Sequence, residues 1–454
     1  MDQSPQTHDS PPAPESSPRW RRAAVWLSNG MVILFLIALG LVVWAEMAAR
    51  SRVNQRLIAY RAAGEWATID DYNAMARPPE HLNAAILLRQ ASAGVPGLTD
   101  DCGRYDGIPL PLSGTERAAL EEALADTAAA FALVAEARTR PLVDWQVTYP
   151  PSSTDMDGSH LTGQRLLAIA LHQAGLLAQS KGDTATALQH AESILYVADA
   201  VGFSPGVVSH LVALRIRSLA CDLLHQLDDY LADGAAVDRE QVERLIALLL
   251  NETIREDAIH RAWTSERAAL VSEISAMGKP WLRQHVLREV PRVADLHDAA
   301  RAASMEADIA SAMEAMPQPP PAGLFTIHLS EILEPSLRRS VALTFRDRTE
   351  RRAAAIALAI RLRAIDHGRL PDSLEALVPS YLSELPRDPF SPQDQPLGYD
   401  RQRAILWSAG TDCVDGGGDT AILPKTKLGG ELRWRTADAV FPLINPPRAA
   451  PPKE

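Results

Sequence analysis

Residues 23–45, AAVWLSNGMVILFLIALGLVVWA, carry no formal charge. As a helix rising ~1.5 Å per residue, this run is ~35 Å long, enough to cross the ~30 Å hydrocarbon core of a bilayer. In lipid it has little choice but to be helical, because each backbone polar group must find its partner inside the segment. Trp26 and Trp44 stand near its ends, where interfacial aromatics belong. The run exceeds the ~7–15 residues of a signal-peptide core, and no clear small-x-small cleavage site follows it. No cysteine lies nearby to carry a lipid. A single transmembrane helix over 23–45 is therefore expected. Arg19, Arg21 and Arg22 precede it and Arg50, Arg52, Arg56 and Arg61 follow it, so flanking charge does not set its orientation.

The remaining chain is long enough for more than one core: there are 454 residues in all, with 5% aromatics and 33 prolines gathered at ends and joints. A net charge of −12 argues against nucleic acid as a partner, since phosphate contacts need clustered lysine and arginine. The partners expected are the lipid bilayer and other proteins. Cys102, Cys221 and Cys413 form no C-x-x-C pair. Cys221 falls in an apolar helical run and reads as a small core residue. Cys102 and Cys413 lie in loops, where they are read as unpaired thiols, or as a pair if the chain lies outside the cytoplasm.

In chain order, residues 1–18 are a proline- and serine-rich tail read as disordered. A helical domain is expected over 46–315, with one long helix from Thr115 to Arg138 and further helices at 253–278 and 282–315. A hairpin over 161–201 turns at Lys181-Gly182-Asp183. Gly175, Gly182 and Ala187 stand at the spacing of small residues in a tetratricopeptide-like pair, Gly175 and Ala187 letting two helices approach closely. With one such pair in view, the expectation is a bundle and not a solenoid. A proline-rich joint is placed at 316–329, a smaller α+β domain at 330–445, and a disordered tail at 446–454. Pro335 is read as a helix start. Arg338, Arg339, Arg346, Arg348, Arg351 and Arg352, interleaved with Asp347 and Glu350, are read as a solvated or salt-bridged helix face.

The most legible stretch is Ala353–Asp419. Ile356, Ile360 and Ala364, beside Leu358, Leu362 and Ile365, make a wide apolar helix face. Gly368 follows as a C-terminal glycine, and Pro371 forbids continuation. Asp372 and Ser373 cap a short SLEALV helix stopped by Pro379, and Ala404–Trp407 reads as a strand. The order helix, H-G-R-L-P, L-E-A-L-V-P, Y-L, P-x-D-P-F, Gly-Tyr, strand, S-x-G-x-D, D-G-G-G resembles the globular domain of the type II secretion major pseudopilin, over about 70 residues. Much of the rest of the chain is similar to a group of large membrane-anchored proteins that end in this module, which adds architecture and no chemistry. The resemblance implies a mainly α fold: a transmembrane helix, a multi-helix bundle and a small α+β pseudopilin-like domain. It also implies an extracytoplasmic bulk with the N-terminus in the cytoplasm. The pilin cleavage signal is missing, because the fifth residue after Gly30 is Phe35 and not glutamate. Processing and assembly as an ordinary pseudopilin are therefore not expected.

Two common catalytic signatures are absent: no phosphate-binding G-x-x-x-x-G-K-[ST] and no H-E-x-x-H. His172, His190, His210, His225 and His260 are scattered on helices without ligand spacing. Asp412, Asp415 and Asp419 are interleaved with Gly416, Gly417 and Gly418. Carboxylates and turned backbone carbonyls are what calcium takes, and the corresponding loop of the resembled family binds calcium. A polar surface turn explains the same residues. Three functions are carried forward. The first is a membrane-anchored binding or assembly protein of the cell envelope, an accessory of a secretion system. The second is an envelope hydrolase with its site between helices. The third is a membrane-tethered cytoplasmic scaffold. An apolar, neutral groove favours the first; a cleft with two carboxylates, or a histidine–acid pair, and a strongly perturbed pKa favours the second.

Overall fold

The computed structural model describes residues 19–95, 110–150, 157–231, 238–276, 289–318, 329–422 and 432–443. The terminal tails, Cys102 and most of the proline-rich joint lie outside the described residues. The chain divides into two compact units, residues 1–56 and 57–454.

The first unit holds most of α1 (Arg19–Ala62). This helix is long and apolar enough to cross a membrane. Ile33, Leu34, Phe35, Leu36 and Ile37 are consecutive and all exposed. At 100° per residue those five positions go right round the helix, so it is apolar on every side, as a helix facing lipid must be.

The second unit is mainly helical. After α2 (Ile69–Asn73) and α3 (Ala84–Ala93) come α4 (Gly114–Ala123) and α5 (Ala128–Ala137), then α6 (Ser159–Ser180), α7 (Thr184–Gly202) and α8 (Val207–Leu231). The turn between α6 and α7 falls at Lys181–Asp183, where Asp183 Oδ1 accepts from Thr186 N at 3.0 Å and caps α7. Next are α9 (Arg239–Leu250), α10 (Thr253–Ala276), α11 (Val290–Met305), α12 (Ile309–Ala315) and α13 (Leu329–His367). Helix α13 packs against α8, α9 and α11 and also against the C-terminal sheet. From Ser340 to Leu362 it is buried on nearly every side. One hydrophobic core therefore runs without a break from Ala84 to Leu443. The sheet is antiparallel in the order β1 (Gly398–Asp400), β2 (Ile405–Ser408), β3 (Ala439–Pro442). Leu406 pairs with Phe441, and both are fully buried.

Several local expectations are corrected. The single helix over 115–138 is two helices, because Thr127 Oγ1 and N both bond the Leu124 carbonyl and close a turn there. The helix over 282–315 is likewise interrupted, since Asp308 accepts from Ser311 N and starts α12 afresh. Pro335 is not a helix start: α13 begins at Leu329 and carries the proline inside. A proline in a helix costs ~3 kcal/mol, and the burial of the turns beyond it outweighs that. The close approach at Gly175 is to α8, where a Cβ would stand 2.6 Å from Leu223 Cδ2. Other expectations hold: α13 ends at His367 before Gly368, and Cys221 is buried. The SLEALV segment forms a 3-10 turn over Leu374–Leu377, but Ser373 gives it no side-chain cap and Asp372 is turned to Arg369 and Arg401.

Gly410, in the S-x-G-x-D turn after β2, has φ +69°, and a Cβ there would lie 2.2 Å from the Ala437 carbonyl oxygen. A backbone carbonyl cannot step aside as a side-chain tip can. Gly410→Ala is expected to destabilise the fold by about 2–4 kcal/mol, combining left-handed strain with overpacking, and urea unfolding would show it as a lower midpoint at unchanged slope.

Candidate functional site

A cavity of about 550 Å³ lies between α8 and α13. Leu211, Leu214, Arg215 and Ser218 line it from α8, and Leu343, Arg346, Asp347 and Glu350 from α13. Both sets run i, i+3, i+4, i+7, which is one face of a helix in each case. The cavity is thus a seam between two facing helix stripes, leucine toward the N-terminal end of each and charge toward the other. Trp434, in the 3-10 turn Leu432–Arg435 before β3, closes one side. Its Nε1 donates to Glu350 Oε1 at 2.6 Å, and the Arg346 guanidinium lies 5.2 Å from its ring centre. Volume, apolar walls and a few convergent polar groups are those of a ligand-binding cavity.

Asp347 ties the cavity to a buried ion network. Its Oδ1 accepts from Arg217 Nη1 at 2.9 Å and its Oδ2 from Arg351 Nε at 3.0 Å. Arg217 also donates to Asp199 at 2.9 Å, and Arg351 to Glu252 at 2.9 Å and to the Leu249 carbonyl at 2.6 Å. Arg348 bonds the Glu306 and Ser304 carbonyls. Helices α7, α8, α10, α11 and α13 are therefore joined by charge through the middle of the molecule. Burial alone would raise the Asp347 pKa, but the Arg217 and Arg351 charges outweigh it and hold the carboxyl down to about 2. Beside it His210 bonds Thr344 Oγ1 at 3.0 Å. Burial, assisted by Arg217, pushes that imidazole down to about 4, so it is neutral at pH 7.

A second cleft of about 310 Å³ lies in the C-terminal part, lined in part by Asp388, Trp407, Cys413 and Asp415. Asp388, from the P-x-D-P-F loop, accepts from Ser408 Oγ, Ala409 N and Phe390 N, which pins that loop to the end of β2. Burial pushes its pKa up. The Cys413 thiol is free, and burial, then the Asp412 charge, pushes it up to about 11, so it is not a poised nucleophile.

The three aspartates singled out for calcium are each turned to local amides. Asp412 accepts from Val414 N at 3.1 Å, and Asp419 from Ala421 N at 2.9 Å. Asp415 accepts from Gly417 N and from Trp407 Nε1 at 2.8 Å. The carbonyls of Gly417 and Gly418 are both taken by the Arg403 guanidinium, at 2.6 Å each. Asp438, not anticipated from the sequence, holds the loop from the other side by accepting from Gly416 N and Asp419 N. Among the described residues no group of three or more ligating side chains is gathered for a metal. In this arrangement each of Asp412, Asp415 and Asp419 is turned to a local amide, and the two glycine carbonyls face a cation of the chain's own.

The arginines of α13 were expected on a solvated or salt-bridged face. Arg338, Arg351 and Arg352 are salt-bridged, but Arg346, Asp347, Arg348, Glu350 and Arg351 are all buried. The i,i+4 spacing of Asp347 and Arg351 was the available signal. Arg217, the remote partner, left none.

The acid limb of stability follows from Asp347. A carboxyl whose pKa is depressed on folding stabilises above its unfolded value of ~3.9, and that contribution is lost as pH falls from ~4 towards 2. Asp347→Asn is expected to cost about 3–5 kcal/mol at pH 7, because two buried arginines lose their shared partner. It should also flatten the fall in stability between pH 4 and 2. Urea melts of both proteins across that range check both outcomes.

Comparison with protein families, with curated proteins and with solved structures finds no match to this chain.

Proposed function

We propose that this chain is a membrane-anchored binding or assembly protein of the cell envelope, whose α8–α13 cavity receives part of a protein partner. The observation that carries this reading is the state of Asp347. A carboxylate bridged by two buried arginines and held near pKa 2 can neither give nor take a proton near neutrality, so it cannot serve as a general acid or base. The same lining offers a recognition surface: Leu211, Leu214 and Leu343 suit an apolar anchor, and Arg215, Arg346 and Trp434 suit the polar or acidic groups beside it. The apolar helix α1 supports a single membrane crossing, with the short N-terminal tail in the cytoplasm and the bulk outside. We further read the α6–α7 hairpin as tetratricopeptide-like and the segment from α13 through β3 as pseudopilin-like, the latter making a secretion-system accessory the favoured role.

The hydrolase reading keeps two observations in its favour: two carboxylates, Asp347 and Glu350, in one cavity, and the Ser204 hydroxyl 2.9 Å from His160 Nε2. Variants separate the two readings. Leu343→Glu puts an unpaired charge on the apolar wall and is expected to weaken capture of envelope proteins by the full-length chain at least tenfold, with the melting midpoint tracking fold integrity. Glu350→Gln should leave capture within threefold; loss of a measured hydrolytic turnover in that variant would instead establish the enzyme.

Orientation has its own test. Gln402 is exposed in the turn between β1 and β2. A Gln402→Cys protein in intact cells is expected to react with a membrane-impermeant maleimide, while protection there with labelling after lysis would favour the cytoplasmic scaffold.

A further inference from the structure

The ion network encloses a second and much smaller space, of about 10 Å³, which shares Leu214 and Asp347 with the large cavity. That is room for one water-sized occupant. Its charged lining consists of Arg217, Arg255, Arg348 and Arg351 against Glu252 and Asp347. None of the four arginines is more than 8% exposed. Asp199, which bridges Arg217 and stands 3.8 Å from Arg255, adds a third carboxylate and still leaves positive charge in excess. Arg352, 3.7 Å from Glu252, is offset by Asp388, and the exposed Glu256 acts on Arg348 from outside the lining. Burial, then the charges of Arg351 and Arg217, push the Arg255 guanidinium down to about 10, which registers the same positive surroundings.

The hydrogen bonding points the same way. Arg255 gives its terminal nitrogens to the Asn251 and Leu248 carbonyls, and Arg217 gives its own to Asp199 and Asp347. The Nε of both residues is buried without a hydrogen-bond partner. Buried donors are almost always satisfied, and here two of them belong to cations lining one small space. Water would satisfy the donors and leave the charge. Phosphate or sulfate would supply the charge but exceed the space. We infer that the space lined by Arg217 and Arg255 binds one small monovalent anion, of the size of chloride. Held there, the anion joins α8 to α10 and completes the charge balance of the network.

The full-length protein in detergent is melted in sodium chloride and in sodium gluconate at matched ionic strength. Binding to the folded state alone raises the midpoint with each tenfold rise in chloride, by about 1–3 °C for a chain of this size, and gluconate should not. Bromide should act as chloride does. Arg255→Gln should abolish the difference between the salts. For a measurement that does not depend on a variant folding, crystals of the unaltered protein grown in bromide should show an anomalous peak beside Arg217 and Arg255. Equal midpoints in chloride and gluconate would mean that water fills the space and overturn the proposal. So would a salt difference that survives Arg255→Gln, or a bromide peak lying elsewhere; a peak at the site with no midpoint difference would be an adventitious ion only.

Discussion

The contact on which the soluble unit turns is the carboxylate of Asp347 held between Arg217 and Arg351. Each arginine reaches on to a second acid, Asp199 on α7 and Glu252 at the start of α10. Charges this deep are stable only when each has its partner, and desolvation can cancel much of what pairing returns. Their effect here is to specify an arrangement. An apolar α13 could slide or rotate against α8 with little penalty, whereas an α13 bearing Asp347 and Arg351 has one position that satisfies both.

That register is what shapes the cavity. With Asp347 held by Arg217, the stripe Leu343, Arg346, Asp347, Glu350 must face the stripe Leu211, Leu214, Arg215, Ser218. The seam is apolar at one end and charged at the other, and Trp434 reaches it from the C-terminal sheet through Glu350. Sheet and helices are therefore parts of one core, and α13 is common to both. The C-terminal Asp–Gly loop follows the same practice on a smaller scale, with Arg403 gathering the carbonyls of Gly417 and Gly418 and Asp438 gathering the amides of Gly416 and Asp419.

Local signals carried local structure well. The turn at Lys181–Asp183, Gly368 after α13, the strand around Leu406 and the uncharged run of residues 23–45 could each be read within a few residues, because turns, turn glycines and lipid-facing runs act at short range. The errors came where a side chain or a distant surface overrode propensity. Thr127 broke a helix that composition would continue, and core packing carried α13 through Pro335. The candidate site was legible only in part. Asp347 and Arg351 stand at helical spacing in the sequence, but Arg217 lies 130 residues away from Asp347.

The sequence by itself determined an apolar segment able to cross a membrane, a mainly helical chain beyond it, and the turns of the Ala353–Asp419 stretch. Those follow from interactions within one element or one turn. Tertiary structure alone decided that Arg346, Arg348 and Arg351 of α13 are buried, that Asp412, Asp415 and Asp419 are turned to groups of their own chain, and that a cavity lies between α8 and α13. The reason is that burial and charge pairing depend on which surfaces meet, and that is a property of the packed molecule and not of any segment of it.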